Sequence, residues 1–186
     1  GAELSPIASM TFKDVRVPKT SLLGEENKGY KIALSGLAGG RINIAAIACG
    51  ISDSAISKAK SYIKERKQFG KTIDSFQGLQ FILADMAIKN EASKQLYILA
   101  AQTLDEDPKS NLNKLYPAYA KCFSTDSCME ITTDAVQLLG GAGYISAAKT
   151  ETGPAVAFTS TARMWYCVDV PWQCGRESPI DAFCGC

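Results

Sequence analysis

The sequence predicts a mainly α-helical fold, an up-down helical bundle preceded by a short β segment. Apolar residues recur at helical spacing in three long stretches, about Tyr30–Arg66, Phe76–Leu104 and Asn113–Leu139. Short polar links join them, which favours antiparallel neighbours. Gly140-Gly141 follows the last stretch and is expected to end it.

The β segment is predicted over residues 8–17. Apolar and polar residues alternate there at Met10, Phe12 and Val15–Val17, a pattern typical of a strand. Pro18 ends it, and residues 22–29 have the glycine and acidic residues of a loop ahead of a helix.

The first helix carries a stripe of mostly small residues and a cluster of glycines. Gly36, Gly39 and Gly40 each cost about 1 kcal/mol relative to alanine inside a helix. Such a cluster indicates close approach of a ligand or of another backbone, or else tight helix packing. The predicted buried stripe is Ala45, Ala48/Cys49, Ser52, Ala55/Ile56, Ala59 and Tyr62/Ile63.

The second and third helices are predicted from similar patterns. Asp74-Ser75-Phe76-Gln77 resembles a capping box ahead of the second helix. The stripe of the second helix is Leu79, Ile82/Leu83, Met86, Leu96/Tyr97 and Ala100, and that of the third is Leu115, Tyr119, Cys122/Phe123, Met129, Thr133 and Val136.

A fourth helix would close the bundle, but residues 145–186 do not predict one. Gly153, Pro154, Pro171, Gly175 and Pro179 interrupt this stretch, and no helical stripe persists between them. We therefore interpret residues 145–186 as an irregular tail.

Composition limits the function classes. The net charge of +1 gives no support to nucleic-acid binding or to attachment at a membrane surface, and we expect no membrane span and no metal site. The chain has no histidine, which excludes Ser-His and Cys-His nucleophile pairs and histidine-ligated metals. The N-terminus has no secretory pattern and no Met, so we expect the chain to begin within a longer protein.

The seven cysteines fall into two groups, of which the four in the tail are interpreted as reduced thiols. Cys49, Cys122 and Cys128 lie in helical patterns and resemble small buried apolar residues. Four others crowd the tail, where a zinc site is the less favoured alternative because their spacing matches no common ligand pattern: Cys167, Cys174, Cys184 and Cys186.

Two segments combine groups suited to a flat, anionic cofactor. The run Glu65–Gly70 offers a cation, a carboxamide and an aromatic ring, and Gln137–Tyr144 offers a carboxamide and bare glycine backbone. Each lies at the end of a predicted helix.

These segments, with others in the same order, resemble the acyl-CoA dehydrogenase family. The resemblance covers about residues 1–144. It is carried by Phe12–Pro18, Leu22–Glu26, Gly39–Ala46, Glu65–Lys71, Phe76-Gln77, Ala84–Ala87 and Ala135–Tyr144. It implies that residues 1–28 end a middle β-domain and that residues 29–144 form the C-terminal helical bundle domain.

The resemblance implies α,β-dehydrogenation of a fatty or branched acyl-CoA thioester, with hydride transfer to FAD. A glutamate would remove the α-proton, and electrons would leave to an electron-transferring flavoprotein. It also implies a homodimer or homotetramer, in the mitochondrial matrix or a bacterial cytoplasm.

Cofactor contacts are carried over residue by residue. Arg66 resembles the guanidinium that meets the FAD pyrophosphate, which suits its planar fork; an exposed helix-end cation is the plain alternative. The other residues of this set resemble neighbours of the same FAD, which in the family belongs to the adjacent subunit: Gln68, Phe69, Phe76, Gln137, Gly140 and Gly141.

Substrate contacts are carried over in the same way. Arg41 resembles the residue that meets the CoA moiety near its adenine. Tyr30, Leu37 and Ile44 would line the acyl-CoA channel, with a plain core role equally open. Ala38 stands where many relatives have Asp, which puts one CoA contact in doubt.

The catalytic base has no counterpart. The family's Tyr-Glu-Gly-Thr run would fall near Met164, where the sequence reads Thr161–Tyr166, and the alternative position on the first helix is Gly40. A shifted reading frame or an alternative exon would produce such a tail. The competing function is a non-catalytic helical dimerisation module that retains the FAD- and CoA-binding surface.

Overall fold

The computed structural model of the protein describes residues 8–144. Three long helices dominate: α2 (Leu37–Glu65), α3 (Gln77–Glu106) and α4 (Leu112–Leu139). A short helix, α1 (Gly29–Ser35), precedes them, and α5 (Gly141–Tyr144) follows. A small antiparallel hairpin of β1 (Lys67–Gln68) and β2 (Lys71–Thr72) links α2 to α3. The three predicted helices are confirmed.

The long helices pack against one another, and α4 contacts both α2 and α3. One core cluster joins the C-terminal part of α2 to the start of α3 and the end of α4: Ala55, Ala59, Ile63, Met86, Ile131, Ala135 and Leu138. We call this the hairpin end of the bundle. A second cluster lies at the far end and is built of Ile42, Ala45, Ala100 and Ala120.

The stripe predicted for α2 is confirmed, but that predicted for α4 is largely wrong. Tyr119 and Phe123 are 43% and 40% exposed, and Cys122 is exposed as well. The buried face of α4 instead carries small residues such as Ser124, Cys128 and Thr132. Small side chains let a central helix approach two neighbours closely, so size is a poor guide to burial here.

Several buried hydroxyl groups bond to carbonyls of their own helices. Ser52 Oγ donates to the Ala48 carbonyl at 2.9 Å, and Thr132 Oγ1 to the Cys128 carbonyl at 2.8 Å. These bonds satisfy hydroxyls that burial would otherwise leave unpaired. Cys49 and Cys128 are buried as predicted, whereas burial of Cys122 was a wrong prediction.

The strand predicted over residues 8–17 is not formed in the described part of the chain. These residues lie outside helices and strands and are exposed. A strand is stabilised by hydrogen bonds and side-chain contacts to a neighbour, and residues 8–144 offer this segment no pairing strand.

The predicted capping box is also absent. The N-cap of α3 is Phe76, whose side chain has no atom that can make a cap hydrogen bond, and the predicted cap residue Asp74 lies upstream in a 3₁₀ turn, Ile73–Ser75. The capping box would have the Gln77 side chain accept from the Asp74 N–H. In the structure, Gln80 Nε2 instead donates to the Asp74 carbonyl at 2.8 Å.

Gly36 separates α1 from α2, although the helical path continues across it. A side-chain carbon added at Gly39 or Gly40 would meet no heavy atom within 4 Å. Tight packing within residues 8–144 therefore does not explain these glycines.

By length and composition alone, the stretch Gly29–Glu65 could cross a membrane, with a mean hydropathy of 1.5 in its best window. Core helices of globular proteins pass the same test. Residues of α2 contribute to both core clusters, so we interpret α2 as a bundle helix.

Candidate functional site

The hairpin begins where α2 ends. Arg66 leaves the helix with extended backbone, and its N–H donates to the Tyr62 carbonyl at 2.9 Å. Its own carbonyl accepts from the Ile73 N–H at 2.9 Å. Between them, Lys67 pairs with Thr72 and Gln68 with Lys71. The short ladder therefore fixes Arg66 at the base of the hairpin.

The turn of the hairpin has positive φ at both central residues, +55° at Phe69 and +80° at Gly70. This is the pattern of a type I′ turn, which matches the twist of two short strands. A bulky residue in this region is an outlier, since the left-handed conformation costs about 1–2 kcal/mol. Phe69 is nevertheless 91% exposed, so packing within the described chain does not explain the choice of an aromatic residue.

The second aromatic ring lies beside the first. Phe69 and Phe76 meet edge-to-face with centroids 6.3 Å apart and an interplanar angle of 90°. Lys71 Nζ lies 4.3 Å from the centroid of the Phe76 ring. No role was predicted for Lys71, and its position as a cation beside a Phe-Gly turn is the sequence signal that could have indicated one.

The other predicted segment ends α4. Gly140 has φ +56° and ψ −136°, a conformation open to glycine almost alone. Its N–H donates to the Gln137 carbonyl at 3.1 Å, and its carbonyl accepts from Gly143 N–H at 3.0 Å. Gly141 has open space where a side chain would be. The segment therefore presents exposed backbone beyond the last turn of α4.

Gly143 has a role that sequence reasoning missed. A side-chain carbon there would lie 2.9 Å from the Val136 carbonyl oxygen and 3.0 Å from Leu139 Cβ. The absence of a side chain lets α5 fold back against α4. The Gly-x-Gly spacing after the helix stop was the available signal.

The structure brings these two segments to the same end of the bundle. Ile63, three residues before Arg66, and Leu138, next to Gln137, belong to one core cluster. Arg66 and Gln137 are both exposed. Within residues 8–144, the Arg66 guanidinium has no hydrogen bond or ion pair. Within this part of the chain, an exposed cation with an ordered backbone and a stretch of exposed backbone therefore lie at the same end of the bundle.

The predicted substrate residues lie elsewhere. Tyr30, Leu37 and Arg41 follow the helical path at the start of the bundle, with Tyr30 74% and Leu37 38% exposed. Arg41 and Ile44 are half-buried. A core role within the described chain is thus excluded for Tyr30. Arg41 and Arg66 are about 37 Å apart along α2, at roughly 1.5 Å per residue. The predicted substrate residues and the predicted cofactor residues therefore lie at different ends of the bundle.

The groups at the hairpin end fit a dinucleotide. A guanidinium suits phosphate oxygens, an exposed ring offers a stacking face, and backbone N–H groups beside glycine can approach a ligand closely. Within residues 8–144, no group of three or more His, Cys, Asp or Glu side chains is arranged to hold a metal ion. The tail cysteines lie outside the described residues.

Residues 27–166 match the sequence profile described as the acyl-CoA dehydrogenase C-terminal domain. The chain belongs to the acyl-CoA dehydrogenase family. The match to the acyl-CoA dehydrogenase domain runs beyond Tyr144 and includes part of residues 145–186, which we had interpreted as an irregular tail.

Named relatives support the assignment. The isobutyryl-CoA dehydrogenase of Dictyostelium discoideum, a mitochondrial protein, is 42% identical over 146 residues, which are 78% of this chain and 34% of the relative. The chain therefore spans about a third of the length of this relative.

Solved structures share the fold. Butyryl-CoA dehydrogenase of Megasphaera elsdenii matches with a TM-score of 0.73 and 38% identity, covering 83% of this chain and 39% of that one. A chain in a structure described as the electron-transferring flavoprotein of Acidaminococcus fermentans matches with a TM-score of 0.75 and 45% identity, covering 84% and 39%. The mainly α-helical fold is thus confirmed.

Proposed function

We propose that the protein forms part of an FAD-dependent acyl-CoA dehydrogenase, which removes hydrogen from the α and β carbons of a fatty or branched acyl-CoA thioester. The observation that carries this proposal is that the Arg66 guanidinium, which has no bonding partner within residues 8–144, and the exposed Gln137–Gly141 backbone lie at the same end of the bundle. Relatives named isobutyryl-CoA dehydrogenase and short-chain acyl-CoA dehydrogenase support the substrate class.

The hairpin end would hold the dinucleotide part of FAD. Arg66 would bind the pyrophosphate, and the remaining residues of the set would surround the nucleotide: Gln68, Phe69, Phe76, Gln137, Gly140 and Gly141. Bound FAD would supply the acceptor for the β-hydride. The chain's own contribution would be to bind and orient this group, because the backbone of the hairpin and of the glycine turn is already ordered within residues 8–144.

The far end would serve the substrate. Arg41 would meet the CoA moiety, and Tyr30 and Leu37 would line the acyl channel. Because about 37 Å of helix separates Arg41 from Arg66, we propose that the two ends serve two different active centres in a homodimer or homotetramer. The chain would then contact the FAD of its neighbour.

Further partners follow from the same proposal. An electron-transferring flavoprotein would accept the electrons, and the match to a chain in a structure of that description supports it. Relatives are found in a mitochondrion and in bacteria. We therefore propose that the protein is located in the mitochondrial matrix or in a bacterial cytoplasm.

The second candidate is a non-catalytic helical dimerisation module that keeps the FAD- and CoA-binding surface. The observation that favours it is the missing base: no Tyr-Glu-Gly-Thr run occurs in the sequence, and the alternative position, Gly40, carries no side chain. General acid–base catalysis contributes roughly 10²–10⁴-fold to rate, so an enzyme without its base would turn over very slowly.

A chimera separates the two candidates. Residues 27–144 would replace the corresponding region of the Megasphaera elsdenii butyryl-CoA dehydrogenase. We expect a yellow protein that reduces an electron acceptor with butyryl-CoA, and an Arg66→Met chimera that retains less flavin. A colourless, folded dimer would contradict cofactor binding. A yellow chimera would support cofactor binding. Extending the replacement to residues 27–186, which exchanges the region of the family's usual base as well, would then decide between enzyme and module by its turnover with butyryl-CoA.

A further inference from the structure

The hairpin carries a cation, Lys71, for which the cofactor proposal gives no role. Its Nζ lies 4.3 Å from the centroid of the Phe76 ring. A cation over an aromatic face is attracted by the negative charge of that face. The Phe69 ring meets Phe76 at right angles, with centroids 6.3 Å apart. Phe76 is therefore held by two contacts from the hairpin.

The strand register places Lys71 on a particular face of the hairpin. Gln68 lies opposite Lys71, and Lys67 lies opposite Thr72. Directly opposed residues of an antiparallel pair point to the same face. Gln68 and Lys71 therefore share the face on which the Phe76 ring lies, and Lys67 points away from it.

We propose that Lys71 is a positioning residue of the dinucleotide-binding end, which holds the Phe76 ring ready for the adenine of FAD. This inference rests on the proposed function. Phe76 is half-buried at the N-cap of α3, so its backbone is fixed while its ring faces the hairpin. Ordering a mobile side chain weakens binding, and a ring that is ordered beforehand avoids part of that loss.

The test is an NMR titration of the 186-residue chain with FAD, which measures weak as well as strong dissociation constants. Lys71→Met is expected to raise the Kd about two- to fivefold, the range of an exposed cation–π contact. Lys71→Arg, which keeps the cation, should restore the affinity. Lys67→Met removes the same charge from the opposite face and should leave the Kd within twofold, roughly the precision of such a titration.

A double-mutant cycle shows whether Lys71 acts through Phe76. In a Phe76→Leu background, Lys71→Met is expected to have no further effect on the Kd. The inference would be overturned if Lys71→Met and Lys67→Met lost FAD affinity equally. It would also be overturned if Lys71→Met lost as much affinity in the Phe76→Leu background as in the unaltered chain. Either result would leave the proposed function standing. Absence of FAD binding by the unaltered chain would overturn both.

A second readout needs no cofactor. The ε-methylene protons of Lys71 should resonate upfield in the free protein, because the Nζ atom bonded to that carbon lies 4.3 Å from the centroid of the Phe76 ring. The shift should disappear in Phe76→Leu. Unshifted protons in the unaltered chain would contradict the contact itself.

Discussion

The two ends of the bundle are built differently. At the hairpin end, large apolar residues such as Ile63, Met86 and Ile131 fill the core, and the exposed groups stand on a hydrogen-bonded hairpin and a glycine stop. At the far end, the core is mostly alanine, and the helical path carrying Tyr30 and Leu37 is exposed. The first surface is shaped within residues 8–144, whereas the second has no neighbour there to complete it.

This difference indicates what each end contributes. The hairpin end can bind a ligand with little reorganisation of its backbone, because hydrogen bonds already hold the hairpin and the glycine turn in place. The far end would contribute its exposed side chains to a substrate site that other parts of the enzyme complete. The following predictions test the contrast, from the largest expected effect to the smallest.

The largest effect is expected from the core of the hairpin end. Met86 is fully buried, so Met86→Ala should lower the free energy of unfolding by about 2–5 kcal/mol. Tyr30→Ala at the far end, where the ring is 74% exposed, should change it by less than about 0.5 kcal/mol. Urea unfolding followed by circular dichroism measures both. Similar losses of unfolding free energy in the two variants would contradict the proposed difference between the two ends of the bundle.

A second test uses the two glycines beyond α4. Gly140→Ala forces a side chain into φ +56° and should cost about 1–3 kcal/mol in unfolding free energy. Gly141→Ala meets open space and should leave stability unchanged or slightly raised. Gly141→Ala should nevertheless weaken FAD binding, since its methyl group would stand where backbone is proposed to approach the ligand. A stable Gly140→Ala protein would contradict this account of the turn.

The turn of the hairpin offers a change with opposite effects on stability and binding. Phe69→Asn creates the Asn-Gly pair that type I′ turns prefer, and it should raise the free energy of unfolding by about 1 kcal/mol. The lost ring should weaken FAD binding roughly tenfold, as loss of an aromatic stacking partner does. Thermal unfolding and an FAD titration measure the two effects. Unchanged affinity would show that the exposed ring serves another purpose.

The smallest expected effect comes from the Lys89–Glu130 ion pair, with Nζ and Oε2 2.6 Å apart. The hydrogen bond to Glu130 raises the pKa of Lys89 in the folded state. The contribution is therefore present at neutral pH and is lost as pH rises through that raised pKa. The two side chains are 37% and 60% exposed, so solvent limits the contribution to about 0.2–1 kcal/mol.

Glu130→Gln should accordingly lower stability slightly at about pH 8 and have less effect at about pH 11, where lysine loses its charge. Glu26→Gln, outside the bundle, serves as the control for a lost carboxylate. An effect of Glu130→Gln that grew with pH would contradict the sign of the linkage.

The sequence was informative where local pattern decides structure. The long stripes predicted α2 and α3, and Gly140-Gly141 predicted the end of α4, because helical spacing and glycine conformations are local properties. Which face of α4 is buried was not predictable from apolar size. The small residues Ser124, Cys128 and Thr132 are buried because they allow α4 to pack closely against two helices, whereas Tyr119 and Phe123 are exposed.

Structure that depends on partners was harder to predict. The segment over residues 8–17 has a strand pattern but no pairing strand among residues 8–144. The β1–β2 hairpin was missed because Phe-Gly is an uncommon type I′ pair and each strand has two residues. The cofactor residues were named from motifs, but the contact between Lys71 and Phe76 required the register of that hairpin.

The central claim is that Arg66 and the Gln137–Gly141 segment form one dinucleotide-binding surface. The direct measurement is a chemical-shift map of the isotope-labelled 186-residue chain as FAD is added. The account predicts that the Arg66 side-chain resonances and the backbone amides of Gly140 and Gly141 shift together, with one shared Kd, while the Tyr30–Arg41 stretch is unaffected. Shifts confined to that stretch, or shifts at Arg66 without any at Gly140 and Gly141, would contradict it.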